Sequence, residues 1–411
     1  NFRSYLPPMD KVVFIANNNI GDFGLSGGDR IFIELARGWK DRVKLYLIGC
    51  EEAITVSKRE GINDIFFLET CKKLGLENVF TLSAIFRNFF KKLISGCVFI
   101  IKNRALIKTC THIYSVSDFY PDSIPAFMAK LLNPKVVWIA GFYLFAPAPW
   151  ARDNPYKGKN IIRGILYWLS QKPIYWIVNK YANIVFVTSE PDRIRFLSKK
   201  RDWSKILAIR GGVNISAANK YLGGQSAIPI PQRQYDACFQ GRFHIQKGVL
   251  ALIDIWKMVV KSLPHAKLAM IGNGPLESEV TKRLTECGLE KNVFLFGFLD
   301  GEDKFNIFKQ SKIVVHPVTF DSGGMSAAEA MAWRLPGVSF DLDSLKTYYP
   351  KGMVKVPRFD YGKFSGEVIR LLTDNNHYAQ TADAARDLIV NQWDWNKQAD
   401  NIFKQVFTPA L

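Results

Sequence analysis

At 411 residues, 48% hydrophobic and 22% charged, the chain is too long for one hydrophobic core and too apolar for a disordered one, so two domains of roughly 200 residues are expected. No low-complexity tract or short repeat interrupts it. Its six cysteines stand apart, without a CxxC pair or a Cys/His group at zinc spacing, which excludes a zinc framework. With no stretch that reads as a secretory signal, a reducing cytoplasmic setting without a structural metal is expected. The net charge of +18 is lopsided: residues 1–225 hold about 33 basic and 17 acidic side chains, a net of about +16, against about +2 for the remainder.

Apolar runs of strand length alternate with helical patterns along the whole chain, which predicts α/β layers around parallel sheets. Val12 to Ala16 reads as a buried strand, followed by a loop from Asn17 to Gly28, a helix on Ile31, Leu35 and Trp39, and a strand from Val43 to Ile48. From Val79 to Ser117 no acid occurs, while Arg87, Lys91, Lys92, Lys102, Arg104 and Lys108 interleave with Phe86, Phe89, Phe90 and Phe99. Strands are expected at 136–140 and 184–187. A second acid-free run, Asn154 to Ser189, sets Lys157, Lys159, Arg163, Lys172 and Lys180 beside Trp168 and Trp176. Neither run has the roughly 18 uninterrupted apolar residues of a spanning helix. Both have the basic and aromatic makeup of segments that lie on an anionic membrane surface, although ordinary helices with inward aromatics and solvated lysines would share that composition.

Residues 216–232, with Gly223, Gly224, Pro229 and Pro231, read as an interdomain linker. The expected division is therefore 1–215, a linker at 216–232, a second domain at 233–390, and a closing helix at 391–411 that returns to the first domain. The second domain opens with a strand at 237–240, a helix at 249–260 and a strand at 268–271.

Four landmarks follow in that half. After the strand at 237–240 come Gly241, Arg242, Lys247 and Gly248; two cations on one loop suit a diphosphate, and would stabilise its charge as it leaves. The strand at 268–271 runs into Gly272, Asn273 and Gly274, a GxG lacking the third glycine of a dinucleotide fingerprint. The run Val293 to Phe298 ends on Gly297 and Phe298, where backbone groups could meet a base edge. The strongest is Asp321, Ser322, Gly323, Gly324, Met325, Ser326 and, eight positions after Asp321, Glu329. There a glycine loop lets the backbone approach a ligand, the helix it opens aims N–H groups at an anion, and Glu329 one turn inside can accept two ribose hydroxyls. Asp341 and Asp343 spell a metal-type DxD, but they close an apolar strand and are not read as a metal site. His112, His244 and His316 are read as structural.

The ordered set G-R-x4-K-G, I-G-x-G-P, F-x-F-G-F, H-P and D-x7-E-A-M-A resembles retaining glycosyltransferase family 4, of the GT-B fold. The resemblance covers about residues 235–340 well, and in the first half rests on Ser26 to Arg30 and Gly212 to Asn214. It implies two Rossmann-like parallel-sheet domains facing each other across a cleft. It also implies that Arg242 and Lys247 hold the diphosphate, that Glu329 holds the ribose and that Asp321 meets hydroxyls of the transferred sugar. Gly27 and Gly28 would then form a loop closing on the donor from the first domain.

The chain departs from the family pattern in three places: Asp321 stands for Glu, shorter by about 1.5 Å; Arg334 stands for Gly; and Gly141-Phe142 stands where many relatives carry a His. The function implied is transfer of a hexose-type sugar from a nucleoside diphosphate sugar, without cofactor or metal. The acceptor would be a glycan or lipid-linked molecule of cell-surface polysaccharide, lipopolysaccharide or glycolipid synthesis. The enzyme would sit peripherally on the inner face of the cell membrane, with Arg87, Lys91, Lys92, Lys102, Arg104 and Arg163 toward membrane or acceptor and no nucleic-acid partner. A nucleotide-sugar epimerase of the same fold and a noncatalytic nucleotide-sugar-binding subunit are the alternatives.

Overall fold

The computed structural model describes residues 9–18, 25–72, 82–151 and 154–407. It divides into two compact units: Asn1–Ala146 with Ile165–Ile209 and Ala399–Leu411, and Pro147–Gly164 with Arg210–Gln398. The chain thus changes unit at Ile209 and Arg210. The expected linker lies within the second unit, where Ser216–Leu222 is helical.

Unit 1 is built on a parallel sheet of β1 (Lys11–Ala16), β2 (Lys44–Gly49), β3 (Phe66–Glu69), β4 (His112–Ser115), β5 (Val137–Gly141), β6 (Ile184–Val187) and β7 (Ile206–Ala208), in the order β3-β2-β1-β4-β5-β6-β7. Its central strands are continuous apolar runs, Val12 to Ala16 being buried throughout, because helices cover both faces of the sheet. The helix Gly27–Trp39 follows β1. Ser26 caps it, accepting from the Asp29 N–H while the Asp29 carboxylate accepts from the Ser26 N–H, a reciprocal cap that fixes the start. Gly27 and Gly28 therefore form the first turn of a helix instead of a loop, and residues 19–24 of the expected loop lie outside the described residues. The two acid-free runs form long helices, Leu82–Lys102 and Ile161–Tyr181. Among the described residues no helix is long and apolar enough to cross a membrane.

Unit 2 carries a second parallel sheet of β8 (Tyr235–Gln240), β9 (Leu268–Ile271), β10 (Val293–Leu295), β11 (Ser311–His316), β12 (Gly337–Phe340) and β13 (Met353–Val356), in the order β10-β9-β8-β11-β12-β13. The helix Val249–Ser262 buries Val249, Leu252, Ile253, Trp256 and Val259 against one face, the spacing of a one-sided helix. The helices Met325–Met331 and Asn375–Gln392 cover the other. β10 is shorter than the apolar run suggests, because Gly297 turns out of it with φ 65°. Arg334, the residue in place of the family's Gly, has φ 63°, a left-handed conformation that glycine adopts freely and Arg does not. Its Nε holds Asp383 at 2.6 Å.

The helix Trp395–Phe407 ends on unit 1, where the Trp39 indole N–H donates to the Ala399 carbonyl at 3.1 Å and Phe403 and Phe407 meet the Trp39 ring edge-on. This docking requires Gly38, since a Cβ there would lie 2.6 Å from the Ala399 Cβ. We expect Gly38→Leu to lower stability by about 1–3 kcal/mol and to expose the final helix to proteolysis. Gly366→Leu, which has open space around it, is expected to do neither; equal melting shifts in the two variants would contradict the docking.

Candidate functional site

In unit 2 the chain steps from β8 outward to β9 and β10, then returns to the far side of β8 with β11. Loops leaving the carboxyl ends of β8 and β11 thus part in opposite directions, which opens a crevice where parallel sheets bind ligands. The loops beside it are laced by main-chain hydrogen bonds: Gly241 N–H to the Ile271 carbonyl (3.0 Å), Gly272 N–H to Gly297 (2.7 Å) and Phe243 N–H to Asn273 (2.7 Å). Gly272 permits this, because at its φ of 137° a Cβ would sit 1.9 Å from the Gly241 carbonyl oxygen. On the other side Gly248, with φ 65°, lies so close to Pro317 that a Cβ would meet its carbonyl oxygen at 2.0 Å. The Thr319 N–H also donates to the Gln246 carbonyl at 2.9 Å. The β8 loop is therefore seated on the β11 loop.

Asp321 closes that seat. Its Oδ1 accepts from the backbone N–H groups of Ser322 (2.7 Å), Gly323 (3.2 Å) and Gly324 (3.3 Å), and its Oδ2 pairs with Lys247 Nζ at 2.5 Å. The glycine loop thus spends its N–H groups on Asp321 instead of holding them open for an anion, a departure from the sequence expectation. Burial alone would raise the Asp321 carboxyl, but Lys247 and the backbone donors outweigh it and hold it well below the usual carboxylate range. His316 lies beside them, 3.9 Å from Asp321 Oδ2, with its Nε2 buried and without a hydrogen bond among the described residues. Burial pushes the imidazole down to about 4, Lys247 adding to the effect and Asp321 opposing it.

Glu329 lies in the helix Met325–Met331 and is joined to the end of β8. Its Oε2 accepts from Gln240 Nε2 and from Lys304 Nζ, each at 2.9 Å. Lys304 is buried and also pairs with Asp300 at 2.8 Å. Burial lowers its tendency to hold a proton, yet Glu329 and Asp300 overcome this and keep its ammonium above the ordinary value. Neither Gln240 nor Lys304 is evident from sequence. Gln240 directly precedes the Gly241–Arg242 landmark, a usable signal, whereas a lysine on an amphipathic helix carries none.

Arg242 is exposed and makes no ion pair among the described residues; its Cγ lies over Gly274. Phe298 is also exposed. A further side chain reaches this loop from the segment Pro147–Gly164, where Tyr156 Oη accepts from Gln246 Nε2 at 3.1 Å and its ring lies edge-on to His244. Gly27 and Gly28 belong to unit 1, where Gly28 faces the Tyr143 ring. Asp341 and Asp343 both pair with Lys346.

Residues 225–388 match the family model described as glycosyl transferases group 1. Poly(glycerol-phosphate) alpha-glucosyltransferase of Bacillus subtilis (strain 168) is 26% identical over 164 residues, 39% of this chain and 24% of that protein. Poly(ribitol-phosphate) alpha-N-acetylglucosaminyltransferase of Staphylococcus aureus (strain COL) is 24% identical over 231 residues, 54% of this chain and 43% of its own length. The chain spans less than half the length of these two curated relatives. Across nearly the whole chain the structure superposes on Anabaena HepE in complex with UDP and glucose (TM-score 0.68, 14% identity, 97% of this chain and 100% of the other). It likewise matches an S. aureus TarM variant in complex with fondaparinux, alpha-GlcNAc-glycerol and UDP (TM-score 0.70, 12% identity, 97% and 100%). The fold is GT-B. Its two Rossmann-like units each carry one parallel sheet, as the sequence pattern implies.

The buried neutral His316 has a measurable consequence. An unfolded histidine protonates near pH 6.5, whereas His316 resists protonation to about 4, so the unfolded state binds the proton first. Stability from this group is full above pH 6.5 and is lost as pH falls toward 4, by up to about 1.4 kcal/mol per pH unit. Urea unfolding between pH 7 and pH 4.5 is expected to show a shallower acid slope in His316→Gln by about that amount. An unchanged slope would mean that His316 is protonated in the folded protein.

Proposed function

We propose that this chain is a retaining glycosyltransferase that moves a hexose-type sugar from a nucleoside diphosphate sugar to a glycan or lipid-linked acceptor of the cell surface. The observation that carries the reading is convergence on the end of β8. Arg242 and Lys247 leave that strand on one loop, Lys247 is tied to Asp321 from the β11 side, and Glu329 is tied to Gln240, the last residue of the strand itself. UDP in the HepE and TarM complexes accords with a nucleotide donor.

In this reading Glu329, anchored through Oε2 by Gln240 and Lys304, takes the ribose hydroxyls, with its other oxygen engaged in neither of those bonds. Arg242 and Lys247 take the diphosphate and stabilise the charge that grows on it as the glycosidic bond breaks. Asp321, whose Oδ1 is filled by three backbone donors, acts first on Lys247, holding its ammonium in place. Only Oδ2 is left to meet a sugar hydroxyl. Departure of the diphosphate leaves an oxocarbenium-like sugar, and the acceptor hydroxyl attacks the same face and gives its proton to the leaving phosphate. Because the two cations supply the countercharge, the reaction as proposed needs no metal.

The test is turnover with a panel of nucleoside diphosphate sugars and glycan or lipid-linked acceptors. Arg242→Ala and Lys247→Ala are each expected to lose about 2–4 kcal/mol of transition-state stabilisation, roughly 30- to 1000-fold in rate. Arg242→Ala is the cleaner probe, since its side chain is exposed and unpaired among the described residues. Near-normal turnover by folded Arg242→Ala and Lys247→Ala proteins would overturn the assignment, and epimer formation from the donor alone would favour the isomerase alternative.

A further inference from the structure

Unit 1 leaves two apolar stripes in water. On the helix Leu82–Lys102 the exposed side chains Phe86, Phe90, Ile94, Val98 and Ile101 fall within an arc of about 120° at 100° per residue. Phe90 is 52% and Ile94 60% exposed. The opposite side of the helix accounts for its packing: a Cβ on Gly96 would meet Asn17 and Pro125, and Ile100 is buried. On the helix Ile161–Tyr181 the unit 1 residues Leu166, Leu169, Pro173 and Trp176 are exposed, at spacings of three and four, while Ile174 and Val178 turn inward. Soluble monomers seldom leave contiguous apolar surface of this kind without a partner.

The stripes are joined. The Phe89 ring meets Tyr120 at 6.0 Å, the Tyr120 hydroxyl donates to the Ser170 carbonyl at 2.9 Å, and Phe119 beside them is exposed. Tyr120 begins the helix that follows β4, so both stripes border one region of unit 1. The exposed charge on the two helices has one sign; Asp118, beside the second, accepts through Oδ2 from Gln171 Nε2 at 2.7 Å. Arg87 and Lys102 are exposed along one edge of the first stripe, Arg104 and Lys108 lie just beyond it, and Lys172 and Lys180 flank the second. Lys172 and Lys180 lie over the Trp168 and Trp176 rings at 4.3 and 4.8 Å. No acidic residue occurs in either helix.

Two side chains from the sequence expectation drop out. Lys92 is buried against Glu52 at 3.0 Å, and Arg163, though exposed, lies in the segment grouped with unit 2.

We infer that this surface docks unit 1 on an anionic lipid bilayer, with the apolar stripes entering the interface and the flanking bases on the headgroups. A half-exposed aromatic stripe edged by bases and free of acids fits a surface that is apolar beneath and negative on top. The inference is independent of the donor reading, because that reading assigns nucleotide binding to unit 2.

The test is cosedimentation of the full chain with phosphatidylglycerol-rich vesicles and with pure phosphatidylcholine vesicles, alongside calorimetric binding of a nucleoside diphosphate as a check on folding. The protein is expected to bind the anionic vesicles selectively and to be released by salt. Arg87→Gln, Lys102→Gln and Lys172→Gln combined are expected to lower partitioning about 100-fold. Phe90→Ser with Ile94→Ser is expected to weaken it as well, with nucleotide binding unchanged in both variants. Absent or lipid-independent sedimentation would overturn the inference, as would full partitioning by the triple variant. So would a dimer that Phe90→Ser with Ile94→Ser dissociates, which would mean that a second copy covers the stripes.

Discussion

The Asp321 carboxylate holds together two loops that leave neighbouring strands, β8 and β11, in opposite directions. Through Oδ1 it gathers the three N–H groups that precede the helix Met325–Met331, and through Oδ2 it grips the lysine of the β8 loop. A buried carboxylate is costly unless it is paired and hydrogen-bonded; here it has a cation and three backbone donors. Loss of Lys247 would leave that charge without its counterion, so the cation assigned to the donor diphosphate also stabilises the fold around it. The electrostatics of the site and its architecture are therefore one arrangement.

A second carboxylate is organised in the same way. Lys304 is a buried ammonium between Glu329 and Asp300, and a buried lysine must find such partners or give up its proton. By occupying Oε2 together with Gln240, it sets the direction in which the rest of the Glu329 carboxylate points. A group positioned in advance loses little orientational freedom when a ligand arrives. The crevice thus has two rigid acid–lysine pairs, one facing the β8 loop and one at the strand itself, with the exposed Arg242 as the adaptable element.

Much of unit 2 was legible in the sequence because its signals are backbone constraints. Gly248 and Gly272 cannot carry a Cβ at the loop crossings they occupy, and the short apolar run at 268–271, closed by a glycine turn, reads as a covered strand. What was not legible concerns groups with locally equivalent alternatives. Nothing local distinguishes Lys91 from Lys92, yet a rotation of 100° turns one toward the solvent side and the other onto Glu52. The glycine loop at 322–324 reads as an open anion cradle until Asp321 is seen to fill it. Proline and glycine at 216–232 suggest a linker, whereas Tyr221 packs on Trp333 of the second core and draws the segment into unit 2. The role of Lys304 could not be found from sequence, since Asp300 is the N-cap of its own helix, an ordinary surface spacing, while Glu329 lies 25 positions away on another helix.

Glu329, set by Gln240 and Lys304, is the proposed nucleoside anchor of the second unit. Calorimetric titration of the unmodified protein and Glu329→Gln with UDP and GDP tests it most directly. One of these diphosphates is expected to bind, and the substitution to weaken it by about 1.5–3 kcal/mol, the range for hydrogen bonds to a charged acceptor. Unchanged diphosphate affinity in a folded Glu329→Gln protein would contradict it.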